Sequence, residues 1–223
     1  NLFDTQDDSL KNDNEFLPTS KKKWTSIRWN EKTVNIAKVI AGNNFPEIIG
    51  LCEIENKAVL KKIKDHYILK GEKYSIIHFE SPDLRGIDCA LLYQSNKIDL
   101  LSMRANNVDL QGRKTRDILS ATFANAKDTF AVFVNHWPSR YGGRKKSNPK
   151  RKIASERLLF LMDSTSNYYP NYKIIAMGDF NDEPNDSSLI VLKKYSNRSL
   201  ELNGTLKYKG KWQIFDQFIC SKN

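Results

Sequence analysis

The 223-residue sequence predicts an α/β protein of the α+β kind, with two β-sheets packed on each other and helices outside. Three observations lead there. After Gly71, short apolar runs of strand length follow one another at 74–79, 89–93, 98–103, 118–123 and 130–134. Only a few stretches carry apolar residues at helical spacing, and they lie around these runs rather than alternating strictly with them. A further apolar run, 174–177, ends abruptly in Gly178-Asp179-Phe180-Asn181-Asp182-Glu183-Pro184, as a buried strand does when it feeds an exposed loop.

Residues 1–4 read as the tail of a strand, and 5–30 as a long polar surface excursion with Trp24 and Trp29 among lysines. From Glu31 to about Ala41, Val34, Ala37, Ile40 and Ala41 recur at helical spacing, and Gly42-Asn43 supplies a stop. Residues 47–53 form a strand ending in acid. Asn56 is an N-cap for a second helix whose stripe is Val59, Leu60, Ile63 and Tyr67. After the run of strands, 138–152 reads as a loop with seven basic residues and no acid. A helix follows with Ile153, Leu158, Leu159 and Met162 facing inward. The strand at 174, a short helix near 188–194 and a last β-run at 212–220 complete the chain.

The length fits one domain over 1–223, large enough to bury a sizeable core. Lys and Arg total 36 against 26 Asp and Glu, a net charge of +10 that is compatible with a polyanion or an anionic lipid surface, and also with solubility alone. No apolar run reaches bilayer length and no signal-peptide pattern is present. Cys52, Cys89 and Cys220 sit singly in apolar runs, which favours buried thiols over disulfides or metal ligands. The chain begins at Asn1 rather than methionine, so localisation stays open, export included.

Several apolar runs end in polar residues suited to chemistry: Glu53, His136, and Asp179 with Asn181, while Asp216 lies in the last run. Asp179 and Asn181 are two apart, so an extended backbone points them to one side. Each has a plainer reading. Gly-Asp-x-Asn also makes an Asx turn, Glu53 can cap a turn, a lone His136 can be a structural hydrogen-bonder, and Asp216 can pair with a buried arginine. If the sheets gather these ends, they offer hard oxygen ligands for Mg²⁺, an imidazole and a carboxamide, a set suited to hydrolysing a phosphate ester.

The ordered motifs Asn1, Leu51-Cys52-Glu53, Arg85-Gly86-Ile87-Asp88, Thr115-Arg116-Asp117, Asn135-His136-Trp137-Pro138-Ser139-Arg140, Gly178-Asp179-Phe180-Asn181 and Phe215-Asp216-Gln217 resemble the endonuclease/exonuclease/phosphatase family across essentially the whole chain. Their wording is closest to bacterial nuclease-like members. The resemblance implies a four-layer sandwich and a divalent cation, Mg²⁺ or Mn²⁺. It makes Glu53 the metal-binding glutamate and Asn1 its supporting asparagine. Asp179 is the residue that orients or deprotonates water, Asn181 a phosphate contact, and His136 the first of two catalytic histidines. Arg116, with Arg140 and Arg85, is placed near phosphate. Asp88 is a candidate partner for His136, and Asp216 the partner of a second histidine. That histidine belongs to a closing Ser-Asp-His, which does not occur before the chain stops at Asn223; either the sequence lacks the start of the first strand and the C-terminal strand, the favoured reading, or the protein lacks half of its catalytic pair.

The function expected is a metal-dependent phosphodiesterase acting on nucleic acid, DNA ahead of RNA, as a monomer. Arg144, Lys145 and Lys146 would track the backbone, with Trp137 or Tyr141 stacking on bases; the same charge run can equally be a solvated face. The alternatives are a phosphoesterase for a phosphoinositide, sphingomyelin-type lipid or small phosphoester, and a binding module without catalysis.

Overall fold

The computed structural model describes residues 1–8 and 10–222. The chain forms two compact units, one from Asn1 to Asp99 and one from Leu100 onward.

In the first unit, helix α1 (Ser26–Gly42) leads into strand β1 (Ile48–Ile54), helix α2 (Lys57–Lys64), and strands β2 (Tyr74–His78) and β3 (Asp88–Gln94). The sheet order is β1-β3-β2, all antiparallel. The Asn56 side chain caps α2 by accepting from the Val59 N–H at 3.0 Å, as its position predicts. Val59, Leu60 and Ile63 are fully buried and pack with Ala37, Ile40, Ile54 and Leu92. Burial of each such side chain stabilises the unit by about 1.5–3 kcal/mol. Tyr67 lies beyond the end of α2 and is exposed, so it is no part of the stripe.

Two further expectations are corrected here. α1 begins at Ser26, five residues before Glu31, because Thr25 caps it through the Arg28 N–H. The segment before it is irregular but not wholly superficial. Phe16 stacks on Phe3 with ring centroids 3.9 Å apart, and buried Trp24 donates Nε1–H to the Phe3 carbonyl at 2.9 Å. Leu2 bridges Ile54 in parallel, consistent with a strand tail.

The second unit contains β4 (Asp99–Asn106, beginning at the boundary), β5 (Ile118–Ala124), β6 (Thr129–His136), α3 (Arg144–Tyr168), β7 (Lys173–Asp179), α4 (Ser187–Ile190), β8 (Ser196–Asn197), β9 (Leu206–Tyr208), β10 (Lys211–Gln213) and β11 (Asp216–Cys220). Its six-stranded sheet runs β4-β5-β6-β7-β11-β8, and β9 and β10 form a separate hairpin. β6 and β7 are parallel, joined through α3. Leu158 and Met162 of α3 are buried against Ala131, Phe133, Ile174 and Ala176, with Ile153 and Leu159 partly buried beside them. The basic stretch is a loop only to Gly143: residues 144–152 are the first turns of α3. The last run is also divided, since the hairpin ends at Gln213 and β11 starts at Asp216. Cys89 is buried and Cys52 and Cys220 are half-buried. Among the described residues no helix is long and apolar enough to cross a membrane.

Candidate active site

In the second unit the parallel register pairs Asn135 with Gly178 and His136 with Asp179, so β6 and β7 end together. Ligands of parallel sheets collect at such carboxyl ends. β11, antiparallel to β7, sets Asp216 opposite Asp179. Three strand ends therefore bring His136, Asp179 and Asp216 into adjacent register positions. The close approach of β6 to β7 requires glycine: Gly178 has φ +129°, and a Cβ there would stand 2.0 Å from the Asn135 carbonyl oxygen.

His136 Nε2 lies 3.8 Å from Asp179 Oδ2. The Asn181 N–H donates to Asp179 Oδ1 at 2.8 Å, and Asn181 sits at φ +51°, a left-handed conformation that asparagine tolerates. Asn181 Nδ2 donates to the Trp137 carbonyl at 3.0 Å. Arg116 is buried and fastens the same turn from below. Its Nε donates to the His136 carbonyl at 3.1 Å and its Nη2 to the Trp137 carbonyl at 2.6 Å. The Asp179 side chain is 28% exposed and that of His136 only 3%. Asp216 is exposed, against the reading as a buried carboxylate.

Several residues assigned to substrate are structural instead. Trp137 is 1% exposed, donates its indole N–H to Asn135 Oδ1 at 3.1 Å and meets Phe180 edge-on, so no base can stack on it. The Arg140 guanidinium is spread over the Asn181 carbonyl (3.0 Å), Asp182 (3.0 Å) and Asp186 (2.6 Å), and Arg144 also pairs with Asp186. Arg151 is fully buried on Asp182 at 2.6 Å. Pairing inside the fold takes Arg140 and Arg151 out of the surface charge run, while Arg144, 60% exposed, stays in it. Lys145, Lys146 and Tyr141 remain exposed.

Glu53 belongs to the first unit. It lies at φ +61° where the β1–β3 register shifts between Leu51 and Ile54, a bulge that re-aims its side chain. With its carboxamide nitrogen turned toward Glu53, the orientation the hydrogen-bond network requires, Asn1 donates to that carboxylate. Asp88 is engaged by His78, whose Nε2 lies 3.1 Å from Oδ2, and by the Ser81 N–H at 2.9 Å. Its histidine is thus His78, held in place by the β2–β3 hairpin, rather than His136. Arg85 is paired with Asp83 at 3.3 Å.

Two features of this unit escaped the sequence. His78, Glu80 and Asp88 place one ligand atom each within 4.8 Å of one another. Glu55 is pushed up to about 8 by burial, with Asp4, Asp13 and Asp8 adding to the shift, although the Asp4 N–H bond at 2.6 Å favours its charged form. The Glu53-Ile54-Glu55 spacing was a usable signal for Glu55, since alternate residues of a strand share a side. Nothing local marks His78, whose partner is ten residues away.

The family model described as Endonuclease/Exonuclease/phosphatase family matches residues 1–223. No curated protein matches the sequence. Similar solved structures include the human Nocturnin catalytic domain with bound sulfate, at 19% identity over 87% of this chain and 76% of that one, with TM-score 0.67. A mannosyl-6-phosphatase from Bacteroides thetaiotaomicron is 18% identical over 87% and 78%, with TM-score 0.69. D. rerio TDP2 complexed with a single strand DNA product is 13% identical over 88% and 80%, with TM-score 0.64. At such identities the likeness is one of fold, two sheets flanked by helices. The whole-length family match adds the chemistry common to that fold's members, hydrolysis of phosphoester bonds, typically with a divalent metal. On both counts, this chain belongs to the endonuclease/exonuclease/phosphatase family.

Proposed function

We propose that the protein is a metal-dependent phosphodiesterase that cleaves nucleic acid, DNA ahead of RNA, by in-line attack of water on phosphorus. The observation that carries this reading is the pairing of His136 with Asp179 at the joint end of β6 and β7, with Asn181 folded back onto Asp179. His136 Nε2 and Asp179 Oδ2, 3.8 Å apart, can both reach one oxygen atom placed between them. Asp179 accepts the proton of the attacking water, with its other oxygen fixed by the Asn181 N–H. Asn181 uses one amide hydrogen on the Trp137 carbonyl and has a second for a phosphate oxygen. His136 donates to the charge that develops on the oxygens. Arg116 acts on this machinery as a positioning residue, through the two carbonyls it holds.

The donor set of the first unit fits a hard divalent cation. Glu53 offers a carboxylate that is 36% exposed, and Asn1 offers its amide oxygen once the nitrogen turns to Glu53. Bound Mg²⁺ or Mn²⁺ would supply charge neutralisation to a phosphoester.

A second reading keeps the chemistry and makes the substrate a small phosphoester. It is favoured by the internal pairing of Arg140 and Arg151, which thins the charge available to a polyanion. Hydrolysis of supercoiled plasmid and of bis-p-nitrophenyl phosphate, each with Mg²⁺ and with EDTA, separates the two. Nicking that EDTA abolishes supports the nuclease; small-diester cleavage without nicking supports the second reading. Asp179→Asn should slow both reactions by about 100- to 10,000-fold with the fold intact. Turnover near that of the unmodified protein would refute the role given to Asp179.

A further inference from the structure

The β9–β10 hairpin takes no part in the site described so far, yet its surface has a definite chemistry. Residues 202–215 contain Lys207, Lys209 and Lys211 and no acid. The register sets Lys207 opposite Trp212 and Tyr208 opposite Lys211. Directly opposed side chains share a face, so each face of the hairpin carries one aromatic ring and one ammonium. Both rings are open to solvent, Trp212 at 57% and Tyr208 at 59%. Lys207 Nζ lies 5.7 Å from the Trp212 ring and Lys209 Nζ 5.4 Å from the Tyr208 ring.

The base of the hairpin is fixed. The Thr205 N–H donates to the Gln213 carbonyl at 2.8 Å, and Thr205 Oγ1 accepts from the N–H groups of Phe215 and Asp216 at 2.9 and 3.0 Å. Gly204 leaves room for Trp212, whose Cβ would lie 2.7 Å from a Cβ added there. Asp216 is in turn the register partner of Asp179. Asp216 follows Gly210 at the tip by six positions, so the aromatic faces begin within roughly 20 Å of that strand end. That distance is a few nucleotides of an extended strand.

We infer that this hairpin binds single-stranded nucleic acid, with Trp212 and Tyr208 each stacking on a base and Lys207, Lys209 and Lys211 contacting phosphates. Charge complementarity selects a polyanion, and two exposed rings beside ammonium groups select one that offers planar faces. A duplex hides its base faces, so the ligand is unpaired. An anionic bilayer fits less well. The rings point to opposite faces, and the tip is Lys209-Gly210-Lys211, so edge-first insertion would drive ammonium groups into the apolar layer ahead of them. The inference rests on the nucleic-acid reading of the function and narrows it to single strands.

The test is binding of a labelled oligonucleotide of about 12 nucleotides to the full-length protein, by fluorescence anisotropy in EDTA so that nothing is cleaved. Trp212→Ala and Tyr208→Ala should each weaken binding by about 5- to 150-fold, and Trp212→Phe should retain most of it. Joint Lys207→Gln, Lys209→Gln and Lys211→Gln should lower the slope of log affinity against log salt by about 2, three phosphates at roughly 0.7 each. Unchanged affinity in both aromatic variants, with the hairpin intact by circular dichroism, overturns the inference. Loss of binding to phosphatidylserine vesicles in Trp212→Ala, with oligonucleotide binding unaltered, overturns it in favour of a lipid surface. A protein that binds the oligonucleotide through Trp212 but hydrolyses neither plasmid nor bis-p-nitrophenyl phosphate refutes the proposed reaction and upholds the surface.

Discussion

Asp182→Ala is the most informative perturbation of the loop that follows Asp179. The Asp182 carboxylate is wholly buried, with Oδ2 2.6 Å from Arg151 Nε and accepting from Ser188 Oγ at 2.7 Å, while Oδ1 receives Arg140 Nη2 at 3.0 Å. Arg151 is equally buried, and its remaining contacts are Ser147 Oγ at 2.9 Å and the Pro138 and Ser139 carbonyls at 3.3 and 3.4 Å, all through Nη1. Alanine at 182 would leave a desolvated guanidinium without its counter-charge, a loss of about 3–5 kcal/mol. Against a total stability of about 5–15 kcal/mol this is severe. At 2–4 °C per kcal/mol for a chain of this size, the melting temperature should fall by roughly 6–20 °C. Urea unfolding followed by tryptophan fluorescence, with calorimetry beside it, measures the loss. Pairing Asp182→Leu with Arg151→Met should recover much of it, because a well-packed apolar pair replaces a buried ionic one at little net cost. A loss below about 1 kcal/mol in Asp182→Ala would refute the claim that this pair is dry and closed.

Gly178→Ala should destabilise by more than about 2 kcal/mol, since φ +129° strains any side chain and the new Cβ would overlap the Asn135 carbonyl. Because Asn135 and Gly178 precede His136 and Asp179 in register, small-diester turnover should fall with it. A urea midpoint equal to that of the unmodified protein counts against the packing. Glu55 bears on pH. Its folded value of about 8 stands above the ordinary 4.5, so the folded state holds a proton that the unfolded state releases. Its contribution to stability is full below pH 4.5 and is lost as pH rises through about 8. In EDTA, Glu55→Gln should flatten the fall in urea midpoint between pH 5 and pH 8, and a slope identical to that of the unmodified protein would exclude Glu55 as its source.

Much of the architecture was legible because it rests on local rules. Asn56 caps a helix wherever its side chain can meet the Val59 N–H, and 74–79, 89–93 and 118–123 are strands by composition and length. The misreadings arose where a distant partner decides the outcome. Lys-rich residues 144–152 look like a loop, yet they begin α3, because Asp182 and Asp186, more than thirty residues on, neutralise Arg144 and Arg151. Trp137 looks like a base platform beside His136, but Phe180 and Asn135 enclose it.

The sequence by itself determined the family, the types of the reacting groups, and their place at the ends of apolar runs, since each is carried by short motifs in a fixed order. Tertiary structure alone decided which groups meet. Asp88 belongs to His78 because β2 and β3 form a hairpin, and Asp179 meets His136 because β6 and β7 are parallel and in register. It also decided which cations face solvent. A guanidinium is written the same way whether it meets water or a buried carboxylate, and only the fold supplies the carboxylate.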